Sequence, residues 1–465
     1  MTGAIQSPCG DGVIAGATPQ PNPYPTALLV ATVLGSSVAF VDSSVVNVAL
    51  PTIQRDLSAT AADIQWLINA YLLPLSALVL LGGAAGDRYG RRRVFMAGLA
   101  LFAVGSLACA LAPGFGPLLF ARALQGVGAA LIIPTSLALL GAGFSGEARG
   151  RAIGTWAAAA AITAAAGPVI GGWLIEVVGW RAIFLINLPL AAVALWLAHR
   201  YIADTPEPAA VAPLDWRGAV LAACGLGAVA WGLTEFPEHG RATGLIGAAL
   251  IAGPLALLAF IANEWRLGAR AMMPLDLFGS RTFVGVTLLT LLLYAALGGL
   301  LVLLPYVLIS VAHYPSTAAG AALLPFPIVM GLGSRSIGRW AERIGPRLPL
   351  TVGPLLVAAG FGLALRLGPG HFHYWTDVLP VVLTIAAGMT TSVAPLTATV
   401  MAAVDPHHAG AASGINDATA YVGSMMATAL LGLVLGHDRF HGAALAGVAL
   451  ATSGAASALL LIRRV

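Results

Sequence analysis

Charge is scarce in this 465-residue chain: Asp, Glu, Lys and Arg together make up 9%, and lysine does not occur. A soluble domain carries about 25% charged residues, so too little charge is present to coat water-facing surfaces, and a string of soluble domains is excluded. Cysteine is equally sparse. Cys9, Cys109 and Cys224 lie far apart with neither metal nor disulfide spacing, and no redox chemistry is read from them. The absence of a Walker phosphate loop argues against ATP-driven work by this chain. His371 and His373 fall in an expected outer loop and His407 and His408 in an inner one, so a four-histidine metal cluster is topologically implausible. Residues 1–25 are polar, proline-rich and free of arginine, unlike a cleavable signal, and the first apolar stretch reads as a retained span.

Apolar residues fill the space that charge leaves. The hydrophobic fraction is 58% and the mean hydropathy +0.89. The apolar runs are continuous over about 20 residues, long enough for a membrane helix and unlike the short alternating segments of a barrel. Fifty-six glycines and abundant alanine suit helices whose backbones approach closely in lipid. The chain therefore reads as an all-α polytopic membrane protein. Fourteen spans are expected near 27–50, 64–83, 93–112, 116–141, 151–175, 182–200, 217–235, 243–263, 283–311, 317–336, 348–366, 376–400, 410–435 and 442–462.

A net charge of +4 would suggest nucleic acid in a soluble protein, but here all 23 basic residues are Arg and most flank spans, so orientation is the better explanation. With the N-terminus inside, only Arg55, Arg181, Arg241, Arg366 and Arg439 face outward, Arg122 lies within a span, and the other seventeen face the cytoplasm. Both termini are thus expected inside. Trp180, Trp216, Trp265, Trp340 and Trp375 fall near span ends, as interfacial aromatics do.

Polar breaks at Ile202–Asp215 and Asn263–Asp276 isolate spans 7 and 8. The expected division is a tail (1–25), a six-helix bundle (26–200), a linker with two inserted helices (201–276) and a second six-helix bundle (277–465). An internal repeat supports it. Gly83-Ala-Ala-Gly-Asp87-Arg88-Tyr-Gly90-Arg91-Arg92 follows span 2, and Gly338-Arg-Trp-Ala-Glu342-Arg343-Ile-Gly345-Pro-Arg347 follows span 10 at matching offsets. Parallel repeats of this kind place a substrate site near mid-membrane between two halves.

The Gly83–Arg92 segment resembles the loop signature of the major facilitator superfamily. An acid beside clustered arginines at a helix end can hold cytoplasmic ends together by charge pairing, and Gly90 permits a sharp turn. Gly83, Asp87, Arg88, Gly90, Arg91 and Arg92, with Glu342 and Arg343 of the repeat, are the expected conformational latch; the bland alternative is an arginine cluster that only sets topology. Span 4 carries Arg122-Ala-Leu-Gln125-Gly126, similar to the family's Arg-x-x-Gln-Gly pattern, which implies proton coupling. A lone Arg in lipid is costly and should face the bundle interior, unless it snorkels to the nearby outer interface. Span 5 carries Gly167-Pro168-Val-Ile-Gly171-Gly172, which resembles the antiporter signature and implies export by exchange; a kinked packing helix is the alternative.

Span 1, through Asp42-Ser-Ser-Val-Val-Asn47, resembles the first-helix signature of the fourteen-span drug:proton antiporter branch. Burial favours the protonated form of a carboxyl, as a proton carrier requires; the alternative is that Asp42 pairs with an Arg or caps a local break. Gly179-Trp180-Arg181 and Asn187-Leu-Pro189 resemble the same branch, with packing the favoured role. Span 13 carries Gly410, Gly414, Asn416 and Asp417, the last at a position usually neutral in that branch. Asp417 could recognise a substrate, carry a second proton, or sit in a wet end of the span. Span 10 holds no acid, which weakens a preference for dications, and a largely neutral cavity favours bulky lipophiles.

The resemblance implies a major facilitator fold of two six-helix halves plus two inserted helices. It also implies a proton-coupled exporter of lipophilic drugs or metabolites in the cytoplasmic membrane, not an enzyme, needing no cofactor beyond the proton gradient, binding no nucleic acid and acting as a monomer. Asp42, Arg122 and Asp417 are the expected proton-coupling residues, and Asn47, Gln125 and Asn416 the expected cavity residues. A dedicated exporter of one endogenous metabolite is the alternative, and a non-transporting membrane sensor a remote one.

Overall fold

The computed structural model describes residues 23–203, 214–239, 244–366, 373–405, 408–434 and 439–462. The tail before Pro23 with Cys9, the residues Arg241, His371, His407, Arg463 and Arg464, and the side chains of Arg335 and Glu342 lie outside that description.

Every element among the described residues is helical. The first five spans are α1 (Pro25–Asp56), α2 (Ala61–Tyr89), α3 (Arg91–Leu111), α4 (Phe115–Gly143) and α5 (Gly146–Val177). A sixth is broken into α6 (Ala182–Leu185) and α7 (Asn187–Tyr201), and α8 (Trp216–His239) and α9 (Gly244–Leu267) follow. The later spans are α10 (Arg281–Ser310), the broken pair α11 (Ser316–Ala321) and α12 (Pro325–Ile344), α13 (Arg347–Ala364), α14 (Leu379–Ala402), α15 (Ala409–Val434) and α16 (Arg439–Leu461). Thirteen described segments are long and apolar enough to cross a bilayer. The 26-residue α15 is also of spanning length, at about 1.5 Å per residue. Each of the fourteen apolar windows falls on one of these spans.

Local chemistry explains the breaks. Pro325 opens α12, where its missing N–H costs nothing, and so ends the α11 hydrogen-bond ladder. The polar run expected to stand as a break from Asn263 is shorter than its composition suggests, because α9 continues to Leu267. Glu264 is fully buried there, its carboxylate accepting the Met273 N–H at 2.6 Å and Asn263 Nδ2 at 3.3 Å. Asn263 also donates to Asp215 at 2.9 Å, so the polar residues fold back on the helix end.

The same helix pairings occur twice. In the first set α1 packs on α5 and α7, α2 on α4, and α3 on α4 and α7; in the second α10 packs on α15 and α16, α12 on α14, and α13 on α14 and α16. Both copies of the loop signature turn at a left-handed glycine, Gly90 at φ 94° and Gly345 at φ 81°. Both send the arginine two residues later to the last carbonyls of the sixth helix of their set. Arg92 donates to Ala198 and His199 of α7, at 3.1 and 2.6 Å, and Arg347 donates to Leu459 of α16. A cation at a helix C-terminus is favourable because it meets unpaired carbonyls and the negative dipole end. Arg92→Ala is expected to lower stability by about 1–2 kcal/mol through loss of these bonds, read as a lower unfolding midpoint of the purified protein.

The inserted pair docks through α8, which packs on α2, α15 and α9. Leu72 and Leu73 of α2, Leu226 and Ala230 of α8, and Met425 and Ala429 of α15 form one apolar cluster, so α8 straddles the line where the two sets meet. Only 11% of the apolar window of α9 is buried, which leaves that helix facing lipid.

Candidate functional site

Asp42 lies in the middle of α1 and Arg122 about two turns into α4, and both side chains are withdrawn from solvent. They form a direct ion pair. Arg122 is 1% exposed and does not snorkel. Removing two charges from water costs several kcal/mol per ion unless their remaining hydrogen-bonding capacity is met, and here most of it is. Asp42 Oδ1 accepts from Gln125 Nε2 and from Asn187 Nδ2, each at 3.0 Å. Arg122 Nη1 donates to Gln125 Oε1 at 2.8 Å, and Nε points to the Leu67 carbonyl at 3.4 Å. The guanidinium also lies 4.5 Å from the Tyr71 ring centre and 5.9 Å from that of Phe184. Ser106 Oγ accepts from Gln125 at 2.8 Å and from Asn187 at 3.3 Å, and the Cys109 thiol donates to Gln125 at 3.3 Å. One network thus joins α1, α3, α4 and α7.

A cavity of roughly 260 Å³ adjoins this network between α1, α2, α4, α10 and α15. Its wall is mostly apolar, with Phe40, Ser43, Asn47, Tyr71, Tyr294 and Tyr421 among the lining residues, and Arg122 reaches its edge. A few polar groups in an apolar wall suit a ligand held by burial and oriented by few bonds. A second space of about 270 Å³ among α10, α13, α15 and α16 is almost wholly apolar and offers no group to orient a ligand.

The structure brings some of the expected residues together and separates others. Asp42, Arg122 and Gln125 converge in the network, so Gln125 does not line the cavity, whereas Asn47 does. Asn416 faces α10, its Oδ1 accepting from Thr290 Oγ1 at 2.7 Å. Asp417 is half-buried, one turn from Tyr421 on α15. In the loop signature, Arg91 pairs with Asp87 at 2.9 Å and donates to the Ala138 carbonyl of α4 at 3.1 Å. Arg88 lies over the Tyr89 ring, Gly83 sits beside Pro134, and Arg343 is exposed.

Span 5 presents its small residues to two partners. A Cβ at Gly167 would lie 2.0 Å from Ser44 Oγ, and one at Gly171 2.9 Å from Val45, both on α1. A Cβ at Gly172 would lie 2.5 Å from the Ser316 carbonyl oxygen on α11, and one at Gly320 would lie 2.2 Å from the Pro168 carbonyl. Two hydrogen bonds join the same end: Thr317 N–H to Glu176 at 2.9 Å, and Tyr306 hydroxyl to Gln54 at 3.1 Å. The helix ends expected to face outward are therefore pressed together.

Asn187, Ser106 and Cys109 belong to the network without having been singled out as site residues by the sequence. Asn187 had a signal, a carboxamide within an apolar span; Ser106 and Cys109 had none, since small polar residues are common in membrane helices. Trp180 does not anchor to lipid, because it is 3% exposed and its indole donates to Asp56 at 2.7 Å. Arg181 stacks on that indole at 4.2 Å and donates to Asp56 at 3.2 Å, tying the end of α1 to the turn before α6. Buried polar atoms of Gln65, Trp66 and Asn69 on α2 and of Thr234 on α8 have no protein partner, the kind of site that takes water.

The comparisons with known proteins agree with this architecture. The Major Facilitator Superfamily profile matches residues 32–428. Multidrug resistance protein Stp of Mycobacterium tuberculosis is 34% identical over 408 residues, covering 88% of this chain and 75% of that protein. The tetracenomycin C resistance and export protein of Streptomyces glaucescens is 34% identical over 422 residues, covering 89% and 76%. The crystal structure of a D-xylose-proton symporter superposes with a TM-score of 0.67 at 14% identity, over 95% of this chain and 98% of that one, and so shares the fold. The repeated helix pairings, the paired loop turns and these matches show that the chain is a multi-pass membrane transporter belonging to the Major Facilitator Superfamily.

Proposed function

We propose that the protein exports small lipophilic compounds across the cytoplasmic membrane in exchange for protons, with both termini on the cytoplasmic side. The buried Asp42–Arg122 pair beside the cavity carries this reading, because a carboxylate shielded from water, whose counter-ion Arg122 lines the substrate chamber, suits a proton carrier that senses substrate. The names of the relatives, which speak of drug resistance and export, favour outward transport. The moving bodies are the bundles of residues 26–200 and 277–465, with 201–276 as the inserted segment, and the protein works as a monomer.

Ionised Asp42 holds Arg122 and, through Gln125 and Asn187, ties α1 to α3, α4 and α7. Protonation removes the charge that holds Arg122 and loosens that grip. The same helix α1 lines the cavity with Phe40, Ser43 and Asn47, and it packs on Gly171 of α5. A proton at Asp42 and a substrate in the cavity therefore act on one element, each biasing the rocking of the halves. Asp87 and Arg91, with Glu342 and Arg343, form the cytoplasmic latch of that motion.

In proteoliposomes loaded with acid, the full chain should concentrate ethidium inside, and collapsing the pH gradient should abolish the accumulation. Accumulation indifferent to the gradient would refute proton coupling. A dedicated exporter of one metabolite is the second reading, favoured by the single compound in the name of the tetracenomycin relative, and a panel of unrelated lipophiles separates the two.

A further inference from the structure

Ala420, Tyr421, Ser424 and Thr428 of α15 all line the central cavity. At about 100° per residue these positions share one helix face, and Asp417 lies on the same stripe, three residues before Ala420 and four before Tyr421. Asp417 thus continues the cavity wall by one turn toward the end of α15 expected to be cytoplasmic. Arg122, which lines the cavity, is matched by Asp42. Asp417 has no hydrogen-bond or ion-pair partner among the described residues. Two tyrosines of the wall lie near it: Tyr421 one turn on along its own helix, and Tyr294 of α10, which runs alongside through the bonds of Thr290 to Asn416 and of Ser424 to the Tyr294 carbonyl.

An unmatched carboxylate in an apolar wall costs free energy unless a ligand supplies the opposite charge. Aromatic faces beside it attract a cation a second time, through the ring quadrupole, and they accept a bulky apolar body. We propose that Asp417, with Tyr294 and Tyr421, forms a cation-recognition subsite that selects lipophilic monovalent cations, such as quaternary onium compounds and protonated amines, among the substrates. Asp42 then carries the proton and Asp417 balances the charge of the substrate. The subsite refines the export reading and rests on it for the direction of transport, but its binding preference is measured without transport.

The test uses the purified full chain in nanodiscs, with no gradient, and compares equilibrium binding of tetraphenylphosphonium and of neutral triphenylphosphine oxide. The wild type should prefer the cation. Asp417→Asn should weaken cation binding by about tenfold or more while changing binding of the neutral probe less than about twofold. Asp417→Glu should keep the preference, and Tyr421→Leu should weaken the cation more than Tyr421→Phe does. A wild type with no preference, an Asn variant that binds the cation normally, or an Asn variant that loses both probes equally would each overturn the subsite. Cation binding intact in a protein that does not exchange protons would support the subsite while removing the export reading, so the two fail separately.

Discussion

Arg122→Leu is expected to destabilise the protein by about 3–5 kcal/mol, and adding Asp42→Asn to it should restore most of that loss without restoring transport. The single change strands a carboxylate whose counter-ion is gone, leaving it with the neutral amides of Gln125 and Asn187. The double variant removes both charges and keeps an amide in place of the carboxylate, so the desolvation penalty disappears with the attraction. Thermal unfolding of the two single variants and the double closes a double-mutant cycle, in which strong positive coupling is expected. Additive losses would mean that the pair is not the unit it appears from its geometry. Gradient-driven accumulation should be absent in all three, which separates the cost of folding from the chemistry of coupling.

Gly172→Val and Gly320→Val should each spring the outer ends of the halves apart. At Gly172 a new Cβ would lie 2.5 Å from the Ser316 carbonyl, and at Gly320 2.2 Å from the Pro168 carbonyl, so backbone must move. The strain exists only while these ends are closed, and it therefore favours the opposite, outward-open arrangement. Gln54, which accepts from Tyr306 across the same junction, reports the shift. With Gln54→Cys in a cysteine-free background, a membrane-impermeant thiol reagent should label either valine variant at least about tenfold faster, the equivalent of about 1.4 kcal/mol in population. Transport should fall with it. Unchanged labelling would show that the contact yields without opening.

The fold was legible because its signals are long: runs of apolar residues, an asymmetry of arginines, and a ten-residue repeat whose glycines recur as turns at Gly90 and Gly345. The site was legible only where a polar residue stood out against lipid. Asp42 and Asn47 are about 140° apart around one helix, so one entered the ion-pair network while the other faced the cavity. Which residue did which depends on how α1 is rotated against α4, a tertiary fact that no local pattern holds. The same limit applies to neighbours on α15, where Asn416 turned to Thr290 and Asp417 stayed on the cavity stripe. Ser106 and Cys109 joined the network because α3 is where it is, not because they resemble site residues.

Proton movement driven by substrate tests the central claim most directly. Proteoliposomes holding a lumenal pH dye, with the membrane potential clamped, are given a sudden inward gradient of tetraphenylphosphonium and no initial pH gradient. Proton-coupled export through Asp42 requires substrate entry to drive protons out, so the lumen should turn alkaline with the wild type and stay unchanged with Asp42→Asn. Substrate entry without proton movement in the wild type, or alkalinisation undiminished in Asp42→Asn, would contradict it.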